Sequence, residues 1–204
     1  GTAAEGWAAR LAQALGSGGP WLAALTFGAY SAQWLSVIGF LPSLYAQSGW
    51  SGALGAVRTA LVAAVNMIGN VAAGRLLSRG VAPRRLLWCG FAAMALGTFL
   101  AFGAATADAP VSRYLGALLF STVGGLIPGS LFALAPRLAP GDRTVSTTVG
   151  WMMQWSAIGQ FAGPPVVAWL AGRVGGWHAT WWVTGACCVL GALLAWRMGR
   201  RLGR

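Results

Sequence analysis

The sequence predicts an all-α integral membrane protein, a six-transmembrane-helix bundle built from a 3+3 inverted repeat. Three observations carry that prediction. First, 57% of the 204 residues are hydrophobic and only 8% are charged, where a soluble domain carries about 25% charged residues. So few charges cannot build a water-facing exterior around so much apolar surface, and intrinsic disorder is excluded because it needs low hydrophobicity. Second, apolar stretches of membrane-crossing length recur along the chain, with arginines unevenly distributed between them. Third, the chain matches itself, thinly, at an offset of 90 positions.

Residues 1–19 come first and differ from the rest. Trp7, Leu11 and Leu15 recur at spacing four beside Arg10 and precede a Gly-Ser-Gly-Gly linker. That pattern predicts a short amphipathic helix lying on the membrane surface. Six spans follow, at 21–46, 51–77, 85–107, 111–136, 144–171 and 177–198. Each supplies the roughly 20 residues needed to cross about 30 Å of hydrocarbon, and each is bounded by Gly, Pro, Ser or Arg. Residues 20–109 therefore hold one three-helix unit, and 110–204 hold a second with a basic tail. The chain begins with Gly rather than Met, which suggests an excerpt of something longer.

Arginine placement orients the bundle. All fourteen cationic side chains are arginines. With the N-terminus inside, eleven fall in cytoplasmic segments: Arg10, then Arg75, Arg79, Arg84 and Arg85, then Arg137 and Arg143, then Arg197, Arg200, Arg201 and Arg204. Outer segments hold only Arg113 and Arg173, and Arg58 lies within a span. Cytoplasmic enrichment of this kind is the positive-inside rule, and it places both termini in the cytoplasm. Tryptophans near span ends (Trp21, Trp50, Trp88, Trp177, Trp181, Trp182 and Trp196) suit interfacial belts. Singly spaced arginines between apolar runs do not make the basic surface that nucleic-acid binding requires.

The repeat has a topological consequence. At the 90-residue offset Pro20 meets Pro110, and Ile68-Gly69-Asn70 meets Ile158-Gly159-Gln160. Three is odd, so the second unit enters the membrane from the face opposite the first. Two such units are the construction of an inverted repeat.

Two motifs bear a family likeness. Residues 74–85, GRLLSRGVAPRR, resemble the loop signature of the major facilitator superfamily, and GQFAGPP at 159–165 is similar to its penultimate helix. The likeness covers residues 20–204 as the C-terminal half of a twelve-helix fold, with 1–19 as the end of the central loop. Residues 30–35 and 66–70 are similar to the cyanate-permease-like branch. The resemblance implies a secondary transporter of the bacterial inner (plasma) membrane that works by alternating access with a second six-helix half, supplied by the same polypeptide or by a dimer partner. It assigns loop and gating roles to Gly74, Arg79, Arg84 and Arg85. Ser78 stands where the family loop carries an acid, which puts a charge-locked gate in doubt; the arginines then either pair with anionic lipid headgroups or only set topology.

Polar groups within the spans are the candidate site, because they are costly in hydrocarbon. Arg58 costs roughly 2.5–3.5 kcal/mol at a helix centre. Either it snorkels to the outer interface or it lines a watery cavity and binds an anionic substrate with its paired donors. Asn66 and Asn70 lie about 80° and 120° around the same helix. Tyr30, Gln33 and Trp34 sit near the middle of the first span, and Trp151, Gln154 and Trp155 near the middle of the fifth. These amides and rings form either a substrate pocket or interhelical glue worth around 0.6 kcal/mol per bond, with the pocket favoured for Gln33, Trp34, Gln154 and Trp155. Gly124, Gly125, Pro128 and Gly129 in the fourth span, and Gly163, Pro164 and Pro165 in the fifth, permit kinks, and Pro128, Gly163 and Pro164 are the expected gating positions. Gly125 with Gly129, and Gly159 with Gly163, also have the small-xxx-small spacing of close helix packing.

The function expected is a carrier for a small anionic or polar organic solute. An intramembrane hydrolase is the competing enzyme class, but Ser130 has no base nearby in sequence and the lone His178 falls at the opposite edge. A channel or scaffold subunit is the third class. Three scattered acids, and Cys89, Cys187 and Cys188 without ligand spacing, predict no metal and no cofactor.

Overall fold

The computed structural model describes residues 2–50 and 52–202, the side chains of 2–5 excepted. Ser51 of the second expected span, and Gly203 and Arg204 of the basic tail, fall outside the described residues. Nine α-helices run in order among them: α1 (Thr2–Leu15), α2 (Gly18–Gln47), α3 (Gly52–Ala64), α4 (Asn66–Ser78), α5 (Pro83–Phe102), α6 (Pro110–Gly124), α7 (Leu126–Leu138), α8 (Val145–Val174) and α9 (Thr180–Leu202). No strand occurs among the described residues.

Six rods follow α1, because α3 with α4 and α6 with α7 are each one rod broken in the middle. The fourth rod breaks at Gly125, within the Gly-Gly stretch flagged by sequence. The second breaks at Val65, where no sequence signal pointed to it. Pro164 and Pro165 do not interrupt α8. The first rod also starts earlier than expected, at Gly18, taking in part of the linker. Pro83 and Pro110 open α5 and α6 at the first turn, where proline loses no helix bond. Gly175 ends α8 in the left-handed conformation, φ 76°, that favours glycine.

Five rods are long and apolar enough to cross a membrane: Gly18–Gln47, Gly52–Ser78, Pro83–Phe102, Pro110–Leu138 and Trp177–Leu202. The fifth rod in chain order, α8, is equally long at 30 residues but is not among them. Its composition sets it apart, with Ser146, Thr147, Thr148, Gln154, Ser156 and Gln160 along its length. It packs along the first rod in the most extensive helix pair of the bundle.

The packing order places four rods side by side in front, in the sequence second, fourth, first, fifth, with the third behind the fourth and the sixth behind the first. Third and sixth also touch each other. Exchanging rods one to three with rods four to six leaves these principal pairings unchanged, while the lesser contact of the fifth rod with the sixth has no counterpart of similar extent between the second and third. Buried apolar side chains fill the centre, among them Leu41, Tyr45, Phe91, Met94, Phe120, Ile127 and Leu131. Large apolar side chains also cover the outside, including Met67, Ile68, Phe161 and Trp169, as lipid contact allows.

Glycines bring the rods together. A Cβ on Gly69 would collide with the Thr122 carbonyl, and one on Gly125 with the Asn66 carbonyl; at Gly129 it would stand 2.6 Å from the Asn70 oxygen. At the other front crossing Gly159 meets the Gly28 carbonyl and Gly163 the Ala32 carbonyl. Gly97 and Gly116 do the same between third and fourth rods. Both small-xxx-small pairs thus lie at close backbone approaches. Gly69→Val or Gly159→Val should each destabilise the fold by about 1–3 kcal/mol through overpacking. Gly172→Ala, where a Cβ meets nothing within 4 Å, should leave stability unchanged or raised. Thermal unfolding in detergent, followed by fluorescence-detected size exclusion, checks all three.

Candidate functional site

The four front rods enclose an open cleft of about 270 Å³, lined by four of the nine expected site residues, Tyr30, Trp34, Asn66 and Asn70. Tyr30 and Trp34 project from the first rod, Asn66 and Asn70 from the second, Pro128 and Phe132 from the fourth, and Ser156 and Gln160 from the fifth. Both broken rods present their breaks here: Asn66 is the first residue after Val65, and Pro128 follows Gly125 by three positions.

A hydrogen-bond chain runs along one wall. Asn70 Nδ2 donates to Asn66 Oδ1 at 2.9 Å and to the Asn66 carbonyl at 3.1 Å. Asn66 Nδ2 in turn donates to Tyr30 OH at 3.0 Å and to the Ser121 carbonyl at 2.9 Å. The Tyr30 oxygen is therefore an acceptor in this chain, and its own proton is left for another partner. On the opposite wall Gln160 Nε2 donates to Ser156 Oγ at 3.1 Å, and Ser156 Oγ pairs with Ser31 Oγ at 2.7 Å. Trp34 is one of the lining residues, and its Nε1 is buried and has no partner. An indole N–H without a partner costs free energy in an apolar surrounding. A guest with an acceptor oxygen would satisfy it. Phe27, stacked on Tyr30 at 6.1 Å and edge-on to Phe132 at 5.4 Å, supplies apolar surface beside these donors.

Not every midspan polar residue reaches the cleft. Gln33 is 1% exposed and turned to the sixth rod, where its Oε1 accepts from Cys188 Sγ at 3.2 Å and its Nε2 donates to the Ala29 carbonyl at 3.2 Å. Trp151 and Trp155 pack edge-on to Trp21, with centroids 5.0 and 5.8 Å away, near the start of the first rod. Gln154 lines a separate groove with Trp7, Arg10, Arg143 and Trp151, between α1 and α8. Arg58 lies about 12 Å along its rod from Asn66, by helix rise, with its guanidinium carbon 3.5 Å from the Trp50 ring centroid. The cation–π contact is worth about 0.5–2 kcal/mol depending on exposure. It serves in part for the carboxylate that the rod lacks.

The loop residues gather at the end remote from Arg58. Arg84 stands 5.0 Å over Trp88 and, with Arg137, lines a small pocket against α9. Arg75 and Arg79 flank a shallow groove on the outer side of α4, Arg85 is exposed, and Gly74 has open space around it. Ser78 Oγ donates to the Arg75 carbonyl at 2.8 Å. Pro128 forms part of the cleft wall, whereas Gly163 and Pro164 sit on the fifth rod beyond it, Gly163 packed on Ala32. Ser130 is fully buried with an unpartnered hydroxyl.

Sequence reasoning overlooked Ser31, Ser156 and Gln160 as cleft residues. The signal for Gln160 was present, since the 90-residue offset lays it on Asn70, and the two amides now stand on opposite walls. No such signal marked the serines, which are indistinguishable in sequence from the helix-bonding Ser36, whose Oγ donates to the Ala32 carbonyl at 2.6 Å. A larger depression, about 880 Å³ between α5 and α9, is lined almost wholly by apolar side chains and shares no lining residue with the cleft.

Residues 22–202 match the sequence profile of the Major Facilitator Superfamily. No curated protein matches the chain.

In a variant stripped of its three native cysteines, Asn70→Cys and Gln160→Cys should react with a water-soluble maleimide. Gln33→Cys and Ser130→Cys, at positions 1% and 0% exposed, should not. Mass spectrometry of the labelled protein checks the four.

Proposed function

The chain belongs to the major facilitator superfamily, a family of membrane transporters, and on that premise we propose that it is one six-rod half of a secondary carrier that moves a small polar or anionic organic solute by alternating access. The solute sits in the cleft between the four front rods, with Tyr30, Trp34, Asn66, Asn70 and Gln160 around it. One observation carries the assignment: the unpartnered Trp34 N–H on a residue of the cleft lining, beside amides whose N–H groups donate within the protein. A few convergent polar groups on an apolar wall are what orient a small ligand. The symmetric pattern of neighbouring rods supports a 3+3 inverted repeat divided at 109/110, with a second six-helix half facing the cleft. Placement in the cyanate-permease-like branch belongs to the same proposal.

Two contacts support the inside-facing assignment of the arginine-rich end. A Cβ on Gly18 would lie 2.8 Å from Arg201 Nη1, and one on Gly199 2.9 Å from Arg84 Cδ. The start of the first rod, the 78–83 connection and the end of the last rod therefore share one face, which the positive-inside rule assigns to the cytoplasm. Arg58, Arg113 and Arg173 occupy the other end. Arg84 and Arg85 serve lipid contact and topology, since Ser78 offers no charge to lock.

Purified protein screened against small organic acids and amides by thermal shift should be stabilised by one solute class. Trp34→Phe and Asn70→Ala should weaken that binding about ten- to a hundredfold, the loss of one hydrogen bond to a polar or charged ligand. Both should abolish uptake into proteoliposomes while monodisperse protein is retained. Normal uptake by both variants would reject the cleft as the site. Accessibility tags at the two chain ends should report the same, cytoplasmic side; tags on opposite sides would overturn the topology.

A further inference from the structure

We propose that Arg58, Tyr45, Trp50 and Tyr114 form a monocarboxylate-binding site at the mouth of the bundle opposite its arginine-rich end, separate from the central cleft. Four independent features meet there. Trp50 lies against the guanidinium face, with the carbon 3.5 Å from the ring centroid, and Tyr114 stands at 5.8 Å. A guanidinium whose face is stacked keeps its N–H edge free for in-plane bonds, the geometry in which carboxylates bind it bidentately. Nη1 on that edge is buried and has no hydrogen-bond partner. The Tyr45 hydroxyl, on a side chain only 2% exposed, is likewise buried without one.

The rings that hold these donors also hold one another. Tyr45, Trp50 and Tyr114 are in mutual contact, with centroids 5.9, 6.2 and 6.4 Å apart. The Trp50 backbone amide donates to the Tyr45 carbonyl at 2.8 Å, which ties the end of α2 to the connection that follows it. Gly55 lies close to the Trp50 backbone carbonyl, 2.5 Å from where a Cβ would stand, so the start of α3 packs directly on the connection that carries Trp50. The cage thus joins the first, second and fourth rods around one positive charge. Asp108, the acid at this end, lies in the α5–α6 connection and leaves Nη1 unpaired.

Charge and shape narrow the guest. One guanidinium balances a single negative charge and one phenol adds a neutral donor, so a monoanion fits better than phosphate. Aromatic walls take the apolar body of a short organic acid, whereas a halide or a fully hydrated oxyanion gains nothing from them. As a statement about which solute is carried, the inference rests on the transport function proposed above. As a binding site it stands without it.

Phenylglyoxal modification tests the site residue by residue, in membranes containing the protein, with mass spectrometry reading each arginine. Acetate and propionate should protect Arg58 saturably, slowing its modification by about fivefold or more at saturation. Arg113 and Arg173, at the same end, should keep their rates. Chloride and inorganic phosphate at equal ionic strength should protect little. Tyr45→Phe should weaken the protection about tenfold, the loss of one donor to a carboxylate, while leaving the rate without carboxylate unchanged. Equal protection by all four salts, or equal protection in Tyr45→Phe, would overturn the proposal. So would a low rate independent of added anion, because a protein carboxylate would then already hold the guanidinium. Trp34→Phe should lose uptake yet keep carboxylate protection at Arg58, which separates failure of this site from failure of the cleft.

Discussion

Close backbone contact at glycine is the constraint on which this bundle depends. In lipid the hydrophobic effect does not press helices together, because acyl chains are as apolar as leucine side chains. Attraction must come from van der Waals contact and from the occasional interhelical hydrogen bond. Gly69 against Gly125, and Gly28 against Gly159, bring carbonyls of one rod against the backbone of the next. These two crossings set the spacing of the second and fourth rods and of the first and fifth, the outer pairs on either side of the cleft.

The cleft is where the constraint is relaxed. The break at Val65 sits beside Asn66, and Gly125 approaches the Asn66 carbonyl and the Asn70 nitrogen. Asn66 then bridges to the fourth rod through the Ser121 carbonyl and to the first through Tyr30. A single side chain links three rods where one of them has lost its regular helix. Packing and polar chemistry are not alternatives for this residue, because the bonds that hold the rods together also orient the cleft wall. Gln33 shows the other outcome, with its amide spent between the first and sixth rods.

Two polar regions along the second rod do different things. Asn66 and Asn70 are satisfied within the protein, and their order comes from neighbours. Arg58 is held by ring faces alone, so its position is fixed while its hydrogen-bonding edge is not. A charge immobilised in this way loses little further entropy on meeting an anion, which is the usual route by which preorganisation improves binding. The distance between the two regions means that a solute approaching from that mouth meets the charge before the amides.

Much of this protein is legible from sequence because a bilayer imposes rules on composition. Backbone groups without water must be bonded within a helix, so apolar length alone gives five of the six rods. The 74–85 and 159–165 motifs carried the family resemblance, the first around the α4–α5 connection and the second within α8. The small-xxx-small pairs gave two of the contact faces correctly. Azimuth was not legible: Gln33 and Trp34 are adjacent in sequence, yet one faces the sixth rod and the other the cleft. An α-helix turns 100° at each step, and which face looks inward is decided by neighbours distant in the chain. The break at Val65, the serine pair Ser31–Ser156 and the ring cage around Arg58 are of the same kind. Each is a meeting between rods, and the glycine crossings that decide such meetings exist only once the chain has folded.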